Sequence, residues 1–248
     1  TYIASESGSL LIDVGVSLRA VTAALNAVGG SSEEISAVLI THEHTDHIKG
    51  LKTLLKHIKV PVLASETTLN TLVDLDIIPP ETKVLSLDEG NEAELCGFGI
   101  TRFPTLHDCA GSSGYSVRTA DGRKISVCTD LGRVTDSVRS VISGSDVILI
   151  ESNHDIDMLK KGPYPPALKM RILSDNGHIS NNACAAELPN LLKNGTERFI
   201  LGHLSRKNNS PLLAFNCAQA ALVDCGAKDG VDYILSVAAP TGNGVTVV

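Results

Sequence analysis

Within seven residues, Thr41-His42-Glu43-His44-Thr45-Asp46-His47 gathers three imidazoles and two carboxylates directly after the apolar run Ala37-Val38-Leu39-Ile40. Imidazole nitrogens and carboxylate oxygens are the donors that zinc, manganese and iron take up. H-x-H-x-D-H is too dense a pattern for a polar loop with incidental histidines. In an extended segment alternate residues share a side, so His42 and His44 face one way. Asp46 and His47, in the tightening turn, reach a second point. One segment can thus feed two neighbouring metals, an arrangement suited to hydrolysis.

The elements around the motif explain where it sits. The run Ala37–Ile40 predicts a strand, and Ile48, Leu51, Leu54, Leu55 and Ile58 then take helical spacing. The cluster therefore lies at the carboxyl end of a strand, where open α/β sheets place their sites. His107, Asp130 and His203 share this property: each follows a predicted strand in a polar or glycine-bearing turn. Elsewhere the first third alternates strand and helix, with Leu10–Asp13 a strand, Ser17 capping a helix to Val28, Val60–Leu63 a strand and Ser65 capping a helix to Val73. The middle reads as short strands at Lys83–Leu87, Glu94–Phe103, Ser113–Thr119 and Lys124–Cys128, the last two joined by Ala120-Asp121-Gly122-Arg123. After a helix at Val134–Val141 and a strand at Val147–Glu151, the stretch Asp155–Leu173 is broken by Gly162-Pro163-Tyr164-Pro165-Pro166 into two short helices. Helices at Asn181–Leu192 and Pro211–Val223 and strands at Arg198–Leu201, Tyr233–Val237 and Val245–Val248 complete the reading. The expected class is α/β: two mixed β-sheets packed face to face with helices on the outside, in one domain over residues 1–248.

The chain has 248 residues, 43% of them apolar, which is ample for a buried core. No run approaches the length of a membrane span, and Thr1 does not open a signal peptide. Six cysteines lie far apart without a C-x-x-C pair, so the expected setting is reduced and cytoplasmic, with no membrane partner. A net charge of −7 argues against a general nucleic-acid coat but not against a nucleic-acid enzyme. With 3% aromatics and no tryptophan, contacts to phosphate would outweigh base stacking.

The order H-x-H-x-D-H, His107, Asp130, His203 resembles the metallo-β-lactamase superfamily over nearly the whole chain. The resemblance implies the αββα sandwich and two divalent metal ions, with His42, His44 and His107 on one, Asp46, His47 and His203 on the other, and Asp130 bridging. Zinc is the first expectation, and manganese or iron also fit such ligands. Asp130 stands where some β-lactamases carry cysteine, which points away from antibiotics and toward phosphodiesters and thioesters. Cys128 reads as core, and His57 as surface.

Glu151-Ser152-Asn153-His154-Asp155, Gly162-Pro163-Tyr164-Pro165, Arg171-Ile172-Leu173-Ser174-Asp175, Gly177-His178-Ile179-Ser180-Asn181 and His203-Leu204-Ser205 are similar, more specifically, to the YycJ (WalJ) branch. That similarity implies a nuclease, a 5′-to-3′ exonuclease on double-stranded DNA, with a metal-bridging hydroxide as nucleophile and Asp46 orienting it. Members of the branch begin with S-G-S-S-G-N before the position of Tyr2, so this chain is expected to lack their first strand. In the phosphodiesterase relatives a histidine at the place of His178 acts on the scissile phosphate, which implies the same catalytic role here. Glu151 can accept a hydrogen bond from a ligand imidazole. His154 is a candidate for substrate contact, and Ser205, Asn208 and Asn209 offer donors to a phosphate. Lys169, Arg171, Arg206 and Lys207 flank His178 and His203 in sequence and are candidates for the phosphate backbone. The expected partner is a nucleic acid, DNA first, or a small phosphodiester. The rival readings are a hydrolase of cyclic phosphates, esters or thioesters on the same centre, and a metal-stabilised binding protein without catalysis.

Overall fold

A computed structural model of the chain describes residues 1–239 and 244–247. Its contacts divide it into two units: Thr1–Pro104, Cys109–Gly122 and Val245–Val247 form the first, Thr105–Asp108 and the described residues of Arg123–Gly244 the second.

In the first unit, β1 (Tyr2–Ser5) and β2 (Gly8–Ile12) form a hairpin, followed by α1 (Leu18–Ala27), β3 (Ile35–Leu39), α2 (Thr45–Ile48), α3 (Leu51–His57), β4 (Val62–Ala64), α4 (Glu66–Asp74) and β5 (Val84–Ser86). The five strands make one mixed sheet in the order β1-β2-β3-β4-β5, antiparallel at β1-β2 and parallel elsewhere. Strands buried on both faces read as unbroken apolar runs. That is why Ala37, Val38, Leu39 and Ile40 are all 0% exposed. Val21 and Leu25 of α1, Leu51, Leu54 and Leu55 of α3, and Leu69 and Leu72 of α4 pack with Val38, Ile40 and Val62. Ser17 and Ser65 cap α1 and α4 as expected, accepting from the backbone N–H groups of Ala20 and Thr68.

The first unit also holds the antiparallel strands β6 (Glu92–Leu95), β7 (Phe98–Pro104) and β8 (Ser113–Arg118). Here the expected single strand Glu94–Phe103 is instead a hairpin. Cys96 and Gly97 take φ of 50° and 77°, the positive values that tight hairpin turns require.

The second unit contains β9 (Lys124–Cys128), α5 (Asp136–Ile142), β10 (Val147–Glu151), α6 (Ile156–Lys161), α7 (Pro166–Ile172), α8 (Asn181–Lys193), β11 (Arg198–Gly202), α9 (Pro211–Asp224) and β12 (Ile234–Val237). These strands run parallel in the order β9-β10-β11-β12. The register Cys128↔Ile150↔Leu201 brings three strand ends level, so the residues that follow leave the sheet side by side. The α/β class with mixed sheets and helices is thus the class of this chain. The strand expected at Val245–Val248 is not formed over Val245–Val247, and Val248 lies outside the described residues. Val245 and Val247 are 64% and 78% exposed, without the cross-strand packing that gives valine its β-preference. No helix among the described residues is long and apolar enough to cross a membrane.

Candidate metal centre

In the first unit the motif leaves β3 beside the end of β2. The parallel register Ile12↔Leu39 brings Asp13 next to Thr41. Asp13 accepts the Thr41 backbone N–H at 2.8 Å on Oδ1, and the Thr41 hydroxyl at 2.8 Å and His47 Nδ1 at 2.8 Å on Oδ2. Since the Thr41 proton goes to Asp13, His42 Nδ1–H donates to Thr41 Oγ1 at 3.0 Å. Both rings therefore carry their proton on Nδ1, leaving the Nε2 lone pairs to bind a metal. The His44 and His47 rings lie 4.6 and 4.1 Å from that of His42. Asp46, 73% exposed, sets Oδ2 3.9 Å from His47 Nε2. The loop after β2 packs directly under α2: Val14 N–H donates to the His47 carbonyl at 2.7 Å, and a Cβ on Gly15 would overlap the Asp46 carbonyl oxygen. Asp13 was not singled out in the sequence, although it ends the run Leu10-Leu11-Ile12 just as the ligand candidates end theirs.

In the second unit Asp130, Glu151 and His203 follow or end three adjacent parallel strands. Asp130 and His203 take left-handed backbone conformations, φ 57° and 55°, as Asp13 does at 61°. Glu151 is 0% exposed and fully engaged. Its Oε1 accepts Nδ1–H of His203 at 2.7 Å and of His178 at 2.8 Å, and its Oε2 accepts the backbone N–H of Leu131 at 3.2 Å and Ile179 at 3.3 Å. Burial pushes the Glu151 carboxyl up, but the hydrogen bonds from His178 and His203 outweigh it and hold it well below the carboxylate range. Burial likewise pushes His178 down, and its bond to Glu151 reverses this, raising it above an ordinary histidine. His107 donates Nδ1–H to the Gly177 carbonyl at 3.2 Å, and burial lowers its pKa, favouring the neutral form that binds a metal. Asp130 Oδ1 lies 3.5 Å from His203 Nε2 and 3.8 Å from His107 Nε2. One ligand atom from each of Asp130, Glu151, His178 and His203 falls within 4.8 Å of the others.

The remaining candidates are placed differently. His154 and Asn208 are 1% and 0% exposed, inside the unit. Ser205 Oγ accepts from the backbone N–H groups of Lys207 and Asn208, closing a turn. Asn209 ties the carbonyls of Ser152 and Asn153 to Asn181. Cys128 is buried, and the His57 side chain is 55% exposed.

Residues 9–204 match the sequence model of the beta-lactamase superfamily domain. The chain belongs to the metallo-β-lactamase superfamily. Within the superfamily it is 36% identical to exodeoxyribonuclease YycJ of Bacillus anthracis over 214 residues, 86% of this chain and 80% of that protein. It is 32% identical to exodeoxyribonuclease WalJ of Streptococcus pneumoniae over 241 residues, 94% of this chain and 87% of that one. In fold it is similar to Zn(2+)-bound PqqB from Methylobacterium extorquens, with a TM-score of 0.69, 19% identity, and 96% and 83% of the two chains covered. As a member of this superfamily, in its YycJ branch, the protein is a metal-dependent hydrolase.

The donor set of each unit fits a divalent metal. Imidazoles whose Nδ1 protons are held by Asp13, Thr41, Glu151 and the Gly177 carbonyl present Nε2 as ligand, and carboxylates accompany them.

The Glu151 bonds give a pH-dependent expectation for the metal-free protein. Because the His178 pKa is raised on folding, its contribution to stability is complete below the ordinary histidine value of about 6.5 and is lost as pH rises through the raised value. The lowered Glu151 carboxyl contributes above the ordinary glutamate value and fades only as pH falls through its own low one. Glu151→Gln should therefore lower the melting temperature in EDTA most at mildly acidic pH, and progressively less into the alkaline range. An equal loss across that range, read by scanning fluorimetry, would contradict this coupling.

Proposed function

We propose that this protein is a nuclease that hydrolyses phosphodiester bonds in DNA, acting 5′-to-3′ on duplexes. His42, His44 and His107 hold one metal, Asp46, His47 and His203 a second, and Asp130 both. Two divalent ions held there, zinc first and manganese or iron as alternatives, would supply Lewis acidity and lower the pKa of a water toward neutrality. Asp46 orients that water by accepting its hydrogen bond. His178, whose pKa its bond to Glu151 raises, donates Nε2–H to the departing oxygen.

The observation that carries this reading is the shared Glu151 oxygen, 2.7 Å from His203 Nδ1 and 2.8 Å from His178 Nδ1. It fixes a second imidazole beside a ligand imidazole, its proton donor turned away from the carboxylate. The named activity of the YycJ and WalJ relatives supports DNA as substrate. All six cysteines are free, which fits a reducing cytoplasm. The test is one metal-loaded preparation given end-labelled 5′-phosphorylated and 5′-hydroxyl duplexes, a cyclic nucleotide and S-lactoylglutathione. Stepwise shortening of the duplexes from the 5′ end is expected. Turnover of only the cyclic nucleotide or the thioester would replace this reading with a small-molecule hydrolase, and no turnover of any would leave a binding protein.

A further inference from the structure

Charge is distributed against the trend of the chain in one stretch of the second unit. The protein as a whole carries 28 acidic and 21 basic residues, yet positions 158–174 hold Lys160, Lys161, Lys169 and Arg171 and no acid. A similar density occurs in the first unit at Lys49, Lys52, Lys56 and Lys59. There half of the charge is paired within the unit: Lys52 with Asp76 at 2.6 Å and Lys59 with Glu81 at 3.1 Å. Among the described residues Lys160, Lys161 and Lys169 have no acidic partner within 4.0 Å. Lys169 Nζ instead donates to the Lys160 carbonyl at 2.8 Å, across the Gly162–Pro166 turn, which joins α7 to the end of α6. The outer face of α7 is open, with Met170 68% exposed and only Ile172 buried.

This basic hairpin runs into the residues already described. His178 N–H donates to the Ile172 carbonyl at 3.0 Å, and a Cβ on Gly177 would overlap the carbonyls of Arg171 and Ile172, so α7 and His178 belong to one tight turn. Arg171 Nη2 pairs with Asp108 Oδ2 while its side chain stays 51% exposed. The other Asp108 oxygen lies 3.2 Å from His107 Nε2. Arg171 is thereby held at a fixed place next to a ligand candidate, with further guanidinium donors to offer.

We infer that the α6–α7 hairpin is the surface that binds the phosphodiester backbone of a polymeric nucleic acid, with Arg171 on the phosphate nearest the reacting one and Lys160, Lys161 and Lys169 on phosphates further along. This rests on the nuclease reading above. Such contacts position a strand without reading its sequence. They also make affinity fall with salt, since each neutralised phosphate releases counterions.

The test is binding of a fluorescein-labelled duplex by anisotropy in EDTA, across a salt series, with melting temperature as the check on folding. Replacing Lys160, Lys161, Lys169 and Arg171 together by alanine should weaken binding by about tenfold or more and lower the salt slope by roughly 0.9 per lost phosphate contact. The milder pair Lys160→Ala and Lys161→Ala, on exposed positions of α6, should cost about threefold and keeps the test valid if the fourfold variant does not fold. Replacing Lys52, Lys56 and Lys59 in and after α3 should change neither affinity nor slope. A wild-type protein that cleaves duplex, with hairpin variants binding as tightly and at the same slope, overturns the inference while leaving the nuclease reading intact. A wild-type protein that neither binds nor cleaves duplex overturns both.

Discussion

His178→Ala is expected to keep its metal content and lose about 10²–10⁴-fold in turnover of bis(p-nitrophenyl) phosphate. The two parts of this result have different causes. His178 bonds Glu151 through Nδ1, and with that ring gone Glu151 still accepts His203 Nδ1–H at 2.7 Å and the Leu131 and Ile179 amides. The ligand imidazole therefore stays oriented. What disappears is the proposed proton donor, whose pKa the Glu151 contact raises. An acid with a raised pKa stays charged to higher pH than an ordinary histidine, so wild-type activity should fall as pH rises through that raised value. In the variant this alkaline decline should vanish along with most of the rate. Unchanged turnover would remove His178 from the chemistry, and loss of metal would make it a ligand.

Asp130→Ala is expected to act on metal occupancy itself. Asp130 is 2% exposed, and its Oδ1 lies 3.5 Å from His203 Nε2 and 3.8 Å from His107 Nε2. A buried carboxylate held against two ligand nitrogens is tolerable when a cation shares the space. Without it, elemental analysis after dialysis should show the metal content per chain clearly reduced, with activity falling in step. Asp130→Asn separates charge from backbone, because asparagine also tolerates the left-handed conformation at φ 57°. Both variants should lose metal. Normal content in either would contradict the shared role of Asp130.

Much of the candidate site is legible because the residue types that would carry its chemistry stand at strand ends. His42, His44, Asp46 and His47 declare themselves by spacing, and His107, Asp130 and His203 by following apolar runs. The partners that orient them depend on strand pairing, which one-dimensional spacing does not contain. Asp13 reaches Thr41 and His47 only because β2 lies parallel to β3 with Ile12 opposite Leu39. Glu151 meets His203 because Glu151 stands opposite Gly202 in the β10–β11 register. The expectation that Glu151 accepts from a ligand imidazole named one bond of four. The fold shows the same boundary: caps and helical spacing are local and held, whereas the Cys96-Gly97 turn lay inside an alternating pattern that continues smoothly on either side.

The left-handed conformations at Asp13, Asp130 and His203 make each of these residues a strand stop as well as a polar anchor. A strand cannot run on through φ near +60°, so the length of the strand and the placement of the polar side chain are fixed by the same torsion. Changing such a residue to a β-branched one would remove its polar contact and also invite the strand to grow by a residue, reversing the side on which everything after it points. At these three positions, loss of the polar contact and a slip of register would be one event. The substitutions expected to keep the bend are the few side chains, asparagine foremost, that tolerate it.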